Sequence, residues 1–165
     1  MTVKTPSPAL KERLSRVAVR AAKAAGAELL KGFGKRLNVR EKPDAGLVTQ
    51  VDLRAEKAAL KILRKEFPDF GVLTEESAET LSRGPVSARW ILDPLDGTTN
   101  FIHGFPMFCV SLAAEWEGEL IVGVIYHPVL RDLYVAVRGQ GARLNGKKLR
   151  VSSRTRLTDS LLTTG

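Results

Sequence analysis

Apolar and polar positions alternate along this chain with two periods, first that of helices and then that of strands. Apolar residues recur every three or four positions from Leu10 to Phe33, and Ser7-Pro8 before them is a typical helix start, with a capping hydroxyl and a proline in the first turn. The pattern predicts an amphipathic helix that ends at Gly32 or Gly34.

A second helix is predicted to open at Asp52 and to stop at Pro68. Asp52 is interpreted either as the helix N-cap or as a site residue, and both readings stay open. Residues 37–40 before it predict a short strand, and residues 41–46 predict a polar loop that we expect to be mobile. The buried side of the second helix is predicted to consist of Ala55, Ala59, Leu60, Leu63 and Phe67.

The rest of the chain has the composition of strands separated by turns. Glu117-Gly118 and Asn145-Gly146 are typical hairpin turns. Together these elements predict an α+β fold in one domain, a layered sandwich of two N-terminal helices packed on a mainly antiparallel sheet. Strands are predicted over residues 70–73, 90–92, 108–115, 120–126 and 133–137, and a further strand begins near residue 160.

Two carboxylates follow one apolar strand at close spacing. Asp93 ends the run, and Asp96 follows three residues later. Pro94 is predicted to fix a turn between them, and Gly97 to let the backbone double back beneath them. Because two acids this close repel each other unless they share protons or a metal, and because Mg²⁺ prefers hard oxygen ligands of fixed geometry, the spacing indicates a magnesium site.

Further groups on both sides fit the same chemistry. Residues 97–100, Gly-Thr-Thr-Asn, offer backbone N–H groups and hydroxyls for a phosphate oxygen. Residues 70–73 lead into Thr-Glu-Glu-Ser at 74–77, so two strands that end in acids could bring their carboxylates to one edge of a sheet. The alternative, an exposed acidic helix start at 74–77, stays open. The combination indicates phosphate-ester chemistry.

Composition adds limits on partners and location. The 26 Lys+Arg against 18 Asp+Glu give a net charge of +8, which favours anionic partners without choosing among them. No apolar run approaches the ~20 residues of a membrane span, and no signal-peptide core is visible, so we expect a cytoplasmic location and no membrane partner. The single cysteine, Cys109, is interpreted as a buried structural thiol.

The densest basic cluster lies near residue 150. It has no aromatic residues between its cations for base stacking, so it is interpreted as a solvated face. The cluster consists of Lys147, Lys148, Arg150, Arg154 and Arg156.

Residues 90–101, WILDPLDGTTNF, resemble the first signature of the inositol monophosphatase family, whose members are Mg²⁺-dependent, lithium-sensitive phosphomonoesterases. LVTQVD at 47–52, TEES at 74–77 and GQGA at 139–142 are similar to other family segments in the same order. The resemblance runs from about the first helix to the last residue. It implies the first part of the inositol monophosphatase and sugar phosphatase fold. It also implies a homodimer, because members of the family commonly form one.

The resemblance implies a role for each matching residue. Metal binding would fall to Glu75, Asp93, the carbonyl of Leu95, and Asp96, with Asp93 shared between two Mg²⁺ ions. Catalysis would involve Asp52, Thr98 and Glu75, with Asp52 and Thr98 orienting a metal-held water for in-line attack on phosphorus. Substrate would be bound by Glu75, Leu95, Asp96, Gly97 and Thr98. Lys42 falls in the mobile loop of the family.

The implied reaction is Mg²⁺-dependent hydrolysis of small phosphate monoesters, with inositol 1-phosphate as the expected substrate. Fructose 1,6-bisphosphate or a 3′-phosphorylated nucleotide remain alternatives, because related enzymes share the Asp-Pro-x-Asp-Gly-Thr core. Some bacterial relatives also work in transcription and ribosomal RNA synthesis. The net charge of +8 and the basic cluster at residues 147–156 would allow contact with RNA or RNA polymerase, which is a further alternative.

Two departures from the family pattern affect these expectations. Gly46 stands near a position that is usually acidic, so the loop is expected to close differently. The family domain also continues past the equivalent of residue 165, with a Trp-Asp-x-Ala-Ala-Gly signature whose aspartate completes the second metal site. We therefore expect residues 1–165 to be the N-terminal metal- and phosphate-binding portion, weak or inactive by itself.

Overall fold

The computed structural model describes residues 5–42, 46–75, 82–84 and 87–162, with the backbone alone at 41, 42 and 46. These residues form three α-helices and nine strands. The helices are α1 (Pro8–Gly32), α2 (Gln50–Glu66) and α3 (Thr98–Ile102). The strands are β1 (Val39–Lys42), β2 (Gly46–Thr49), β3 (Gly71–Thr74), β4 (Ala88–Asp96), β5 (Cys109–Trp116), β6 (Glu119–His127), β7 (Asp132–Val137), β8 (Gly141–Leu144) and β9 (Lys147–Lys148).

The first helix follows its sequence prediction at both ends. Ser7 accepts a hydrogen bond from the Leu10 N–H at 3.2 Å, and Pro8 occupies the first turn. The helix ends at Gly32, with Phe33 as its C-cap. Its periodic apolar side is buried against the rest of the fold.

The start of the second helix differs from the prediction. The N-cap is Thr49, whose hydroxyl accepts from the Val51 N–H at 3.0 Å, and Asp52 lies in the first turn as the reciprocal partner of a capping box. The N-cap reading of Asp52 is therefore wrong. The predicted buried side of α2 is confirmed from Ala55 to Phe67.

The segment before α2 is more regular than predicted. β1 and β2 form an antiparallel hairpin, with Lys42 opposite Gly46 and Val39 opposite Thr49. The loop predicted over residues 41–46 is thus reduced to a connection whose residues 43–45 lie outside the described part of the chain. Strands of only four residues give weak sequence signals, and the pairing of the two segments supplies the missing stability.

The main sheet has seven strands in the order β3-β4-β5-β6-β7-β8-β9. β3 and β4 are parallel, and every later pair is antiparallel, which confirms a mainly antiparallel sheet. The predicted hairpin turns lie where expected, and Glu117 and Asn145 both have the positive φ of such turns. The strand predicted near residue 160 is wrong for its described part, because residues 160–162 form no strand and follow a short 3-10 turn at Leu157–Asp159.

The two long helices cover one face of this sheet and lie antiparallel to each other. Arg13 of α1 reaches Glu66 at the end of α2, while the backbone of Gly32 passes close to Val51 at its start. Trp90, Leu92 and Leu112 are buried beneath them. In the described part of the chain, no helix is both long enough and apolar enough to cross a membrane.

Candidate metal and phosphate site

Two parallel strand ends bring acidic side chains together. Thr74 of β3 lies opposite Leu92 of β4, so Glu75 and Asp93 follow at the same edge of the sheet. The Glu75 N–H donates to the Leu92 carbonyl oxygen at 3.4 Å. The structure thus places these two residues side by side, as the two acidic strand ends predicted. Residues 76 and 77 lie outside the described part of the chain.

The surroundings of the Asp93 carboxyl group shift its pKa. Burial first, and then the negative charge of Glu75, raises the pKa of Asp93 to about 7. Asp96 adds to the rise, and the Leu95 N–H, which donates to Asp93 Oδ1 at 3.0 Å, opposes it. Burial and the neighbouring carboxylates therefore both disfavour a negative charge on Asp93.

Asp96 ends the same strand, which does not stop at Asp93. Asp93 pairs with Ser111 and Asp96 with Cys109, so three steps along β4 match two along β5, and the strand carries a bulge. The turn predicted at Pro94 is therefore wrong: the strand continues through Pro94, and the bulge accommodates the missing N–H of the proline. Residues three apart on a regular strand point to opposite faces, and the extra residue lets both carboxylates line one cavity.

Gly97 makes the next step of the backbone possible. Its φ is 94°, and a Cβ there would lie 2.9 Å from the carbonyl oxygen of Met107. Only glycine fits without displacing that backbone. The chain then enters α3, a helix of five residues, whose first N–H groups have no partner within the helix.

Asp52 reaches the site from α2. It is fully buried, and Thr49 donates to its Oδ2 atom through both the backbone N–H at 3.0 Å and the hydroxyl at 2.6 Å. The Thr98 hydroxyl lies 3.3 Å from Asp52 Oδ1. Burial raises the pKa of Asp52, although the hydrogen bonds from Thr49 and Thr98 lower it. The capping box therefore holds the carboxylate that Thr98 contacts.

The Thr98 hydroxyl has two acceptors for one proton. It lies 3.0 Å from the Leu95 carbonyl oxygen as well as near Asp52. A ligand that engages the Leu95 carbonyl would leave the hydroxyl to donate to Asp52 alone. The hydroxyl can therefore respond to occupation of the site.

One open cavity of about 300 Å³ joins most of the predicted residues. Asp52 lies behind it, in contact with Thr98, and Leu47 of β2 contributes to a wall. Lys42 ends β1, and its side chain lies outside what the structure describes. The predicted residues that line the cavity are Glu75, Asp93, Leu95, Asp96, Gly97 and Thr98.

Side chains alone do not form a metal cage here. Among the described residues, no group of three or more His, Cys, Asp or Glu side chains is arranged to hold an ion. A bound ion would need additional oxygens from the backbone, water or substrate. Mg²⁺ is the common ion that suits such a site, because it keeps several waters and takes one or two carboxylates.

Cys109 lies beside these acids and has no feature of a nucleophile. Burial, together with the charge of Asp96 and a hydrogen bond to it, raises the pKa of the thiol to about 12. The Sγ atom lies 3.5 Å from Asp96 Oδ2. The thiol is half-buried, rather than fully buried as predicted.

Sequence reasoning missed Glu56. It lies one helical turn after Asp52, is buried, and accepts a hydrogen bond from the Thr74 hydroxyl at 2.8 Å. The available signal was a glutamate on the apolar stripe of α2, between Ala55 and Ala59, since buried acids in helices are rare unless they are paired.

Comparison with known proteins agrees with this layered fold. A model of the inositol monophosphatase family matches residues 10–165, and the chain therefore belongs to that family. It is 42% identical to the Nus factor SuhB of Pasteurella multocida over 151 residues, which cover 90% of this chain and 56% of that protein. It is 43% identical over 159 residues to an inositol-1-monophosphatase of Mesorhizobium japonicum, covering 92% and 58%.

A solved structure shows the same fold. The extragenic suppressor protein suhB of Bartonella henselae superposes with a TM-score of 0.83 at 46% identity, covering 88% of this chain and 56% of that one. The chain thus spans little more than half the length of the relatives it matches.

Proposed function

We propose that this chain forms the metal- and phosphate-binding part of a Mg²⁺-dependent phosphatase of small phosphate monoesters, with inositol 1-phosphate as the expected substrate. The observation that carries the proposal is the single cavity lined by Glu75, Asp93 and Asp96 next to the Gly97–Thr98 backbone. Membership of the inositol monophosphatase family and the name of the Mesorhizobium relative support the same reaction.

The acidic edge has the donors that Mg²⁺ needs. Glu75 and Asp93 would hold one ion together with the Leu95 carbonyl, and Asp93 and Asp96 would share in a second. Burial and the charge of Glu75 raise the pKa of Asp93, and a divalent cation would offset both effects by stabilising the ionised carboxylate. When bound, Mg²⁺ neutralises phosphate charge and acidifies water.

Residues around this edge would bind and orient the phosphate ester. The backbone N–H groups of Gly97 and Thr98 would hold phosphate oxygens, in positions fixed by the close approach of Gly97 to Met107. Thr98 would hand its hydroxyl proton to Asp52 as it takes one from the attacking water, and the Thr49 capping box fixes the position of Asp52. Such positioning and charge neutralisation are the main requirements of phosphoryl transfer.

Metal binding tests this proposal directly. We expect the chain to bind Mn²⁺, a stand-in for Mg²⁺ measurable by electron paramagnetic resonance, and Asp93→Asn to weaken binding by about a hundredfold, since loss of an outer-shell partner alone costs 10- to 100-fold. Asp69→Asn, an exposed acid outside the cavity, is the matched control. Equal Mn²⁺ affinity in the Asp93→Asn variant and the parent would refute the proposal.

Turnover tests the choice of substrate. We expect any Mg²⁺-dependent phosphate release by the chain to be weak and to be greatest with inositol 1-phosphate in a panel that includes fructose 1,6-bisphosphate and a 3′-phosphorylated nucleotide. Release that persists in Asp93→Asn would contradict the site. A preference for either of the other substrates would replace the expected one.

The charge distribution favours a second candidate function, contact with RNA. Residues 1–66 hold 16 of the 26 Lys+Arg and 7 of the 18 Asp+Glu, a net charge of +9, whereas residues 67–165 hold 10 and 11, a net charge of −1. Two of those seven acids, Asp52 and Glu56, are buried. Helices α1 and α2 hold 11 of those 16 Lys+Arg, among them Lys57 and Lys61, which are exposed. A relative is named Nus factor SuhB.

Matched charge reversals locate such contact. We expect weak, salt-dependent binding of a short single-stranded RNA that falls when Lys57 and Lys61 of α2 are both changed to Glu. The control changes Lys147 and Lys148 of β9, in the β8–β9 hairpin, to Glu, which alters the net charge by the same amount. Equal losses from both pairs would indicate nonspecific attraction, and a loss from the hairpin pair alone would place contact there.

A further inference from the structure

One face of α2 contacts the candidate site in two places, at Thr98 after β4 and at Thr74 at the end of β3. Asp52 and Glu56 are one turn apart, and both are buried. Asp52 contacts the Thr98 hydroxyl beside the phosphate cradle, and Glu56 contacts the Thr74 hydroxyl at the end of β3. One rigid helix thus connects the loop after β4 with the strand that precedes Glu75.

The Glu56–Thr74 contact holds the strand where it needs support. Beyond Thr74 the strand continues only as far as the Glu75 N–H, whose bond to the Leu92 carbonyl is long at 3.4 Å. The Thr74–Glu56 bond is shorter, at 2.8 Å, and is shielded from water, since Thr74 is 8% exposed and Glu56 7% exposed. A short, buried bond to a carboxyl group fixes a backbone position more firmly than the last bond of a strand.

We propose that Glu56 is a positioning residue, which through Thr74 fixes the end of β3 and thereby the place where the Glu75 carboxylate meets Asp93. The inference rests on the proposed function, because it assumes that Glu75 serves as a metal ligand. By this inference, α2 also sets the distance between the metal-binding Glu75, which it positions through Glu56, and the phosphate-binding Thr98, which contacts Asp52.

Stability alone does not explain a carboxyl group at this place. A buried acid is costly unless hydrogen-bonded, and an apolar residue would suit the stripe between Ala55 and Ala59 at least as well. The side chain that Glu56 contacts belongs to the residue directly before Glu75. The sequence keeps a costly group where it can orient a ligand and where packing would not require one.

Threonine variants separate positioning from packing. Thr74→Val keeps the shape and strand preference but removes the hydroxyl donor, whereas Thr74→Ser keeps the donor. We expect Mn²⁺ affinity, measured by electron paramagnetic resonance, to fall about tenfold in Thr74→Val and to return to near the parent value in Thr74→Ser. Glu56→Leu should resemble Thr74→Val and add little to it in the double variant.

A destabilised variant outside the site supplies the control. Val17→Ala removes buried volume from α1, and we expect it to lower the midpoint of thermal unfolding and leave Mn²⁺ affinity unchanged. If Thr74→Val binds Mn²⁺ as the parent does, or if Thr74→Ser weakens binding as much as Thr74→Val, the positioning role is wrong while the proposed metal site stands. If the parent binds no Mn²⁺, the proposed function itself fails, and this inference fails with it.

Discussion

The two ends of strand β4 lie in opposite environments. At its start, Trp90 is fully buried, and its ring lies 5.6 Å from that of Phe67 and 5.7 Å from that of Phe70. At its end, Asp93 and Asp96 stand among other acids around an open cavity. Nine residues of one strand thus pass from a packed aromatic cluster to a group of mutually repelling charges.

This difference separates what holds the fold from what is available for chemistry. Burial of aromatic side chains stabilises the first end by several kcal/mol per ring. At the other end, burial of a carboxylate and its repulsion with neighbouring acids are unfavourable, and both raise the pKa of Asp93. Proteins commonly tolerate such local cost at sites that bind a ligand, because the ligand relieves it.

The largest effect should come from the aromatic end. Trp90→Ala should lower the free energy of unfolding by about 3 to 5 kcal/mol, because it removes a large buried ring and leaves a cavity. Urea denaturation measures the change. The indole Nε1 atom is buried without a hydrogen-bond partner among the described groups, so Trp90→Phe should cost much less. Equal losses from the two variants would contradict the packing argument.

At the acidic end, the backbone should be sensitive at Gly97. Gly97→Ala should destabilise the protein by about 1 to 3 kcal/mol through its positive φ and the close Met107 oxygen. Gly104→Ala is the matched control, since Gly104 also has a positive φ, of 72°, but no atom lies within 4 Å of its added Cβ. The difference between the two midpoints of urea denaturation measures the clash, and no difference would show that Met107 moves freely.

Removing one charge from the acidic end should have the opposite sign. Without divalent metal, Asp93→Asn should stabilise the fold by about 1 kcal/mol at pH 8, because it removes a buried charge and its repulsion with Glu75 and Asp96. Thermal unfolding with a chelator present measures the gain, and excess Mg²⁺ should reduce or reverse it. A lower unfolding temperature in the chelator would mean that the carboxylate stabilises this strand end.

The sequence predicted the stable parts of this fold better than its irregular ones. Long periodic segments such as α1 carry many consistent positions, and turns such as Asn145-Gly146 have a specific backbone requirement. The hairpin of β1 and β2 was missed because its strands are short and gain stability from pairing with each other. A sequence pattern does not display that pairing.

The residues that the sequence singled out for the candidate site lie together, but the backbone around them differs from the prediction. Asp93 and Asp96 were identified by spacing, but the expected turn at Pro94 is a bulge within a continuing strand. A bulge depends on the register with β5, which the sequence of β4 does not contain. Glu56 was missed because its partner Thr74 lies 18 positions away in the chain, so only the packed structure joins them.

The smallest effect should come from an acid whose charge stabilises the fold, in contrast to Asp93. A hydrogen bond from Arg20, at 3.0 Å, and the charges of Arg20 and Arg13 lower the pKa of Glu66. Its stabilising contribution is therefore complete above the unfolded-state value near 4.5 and is lost as the pH falls through the lowered value. Glu66→Gln should slightly lower the urea midpoint at neutral pH, and the difference from the parent should vanish at about pH 3 and shrink in high salt. A difference that stays constant from neutral to acid pH would mean that Glu66 acts through packing, and the contrast between its charge and that of Asp93 would then be lost.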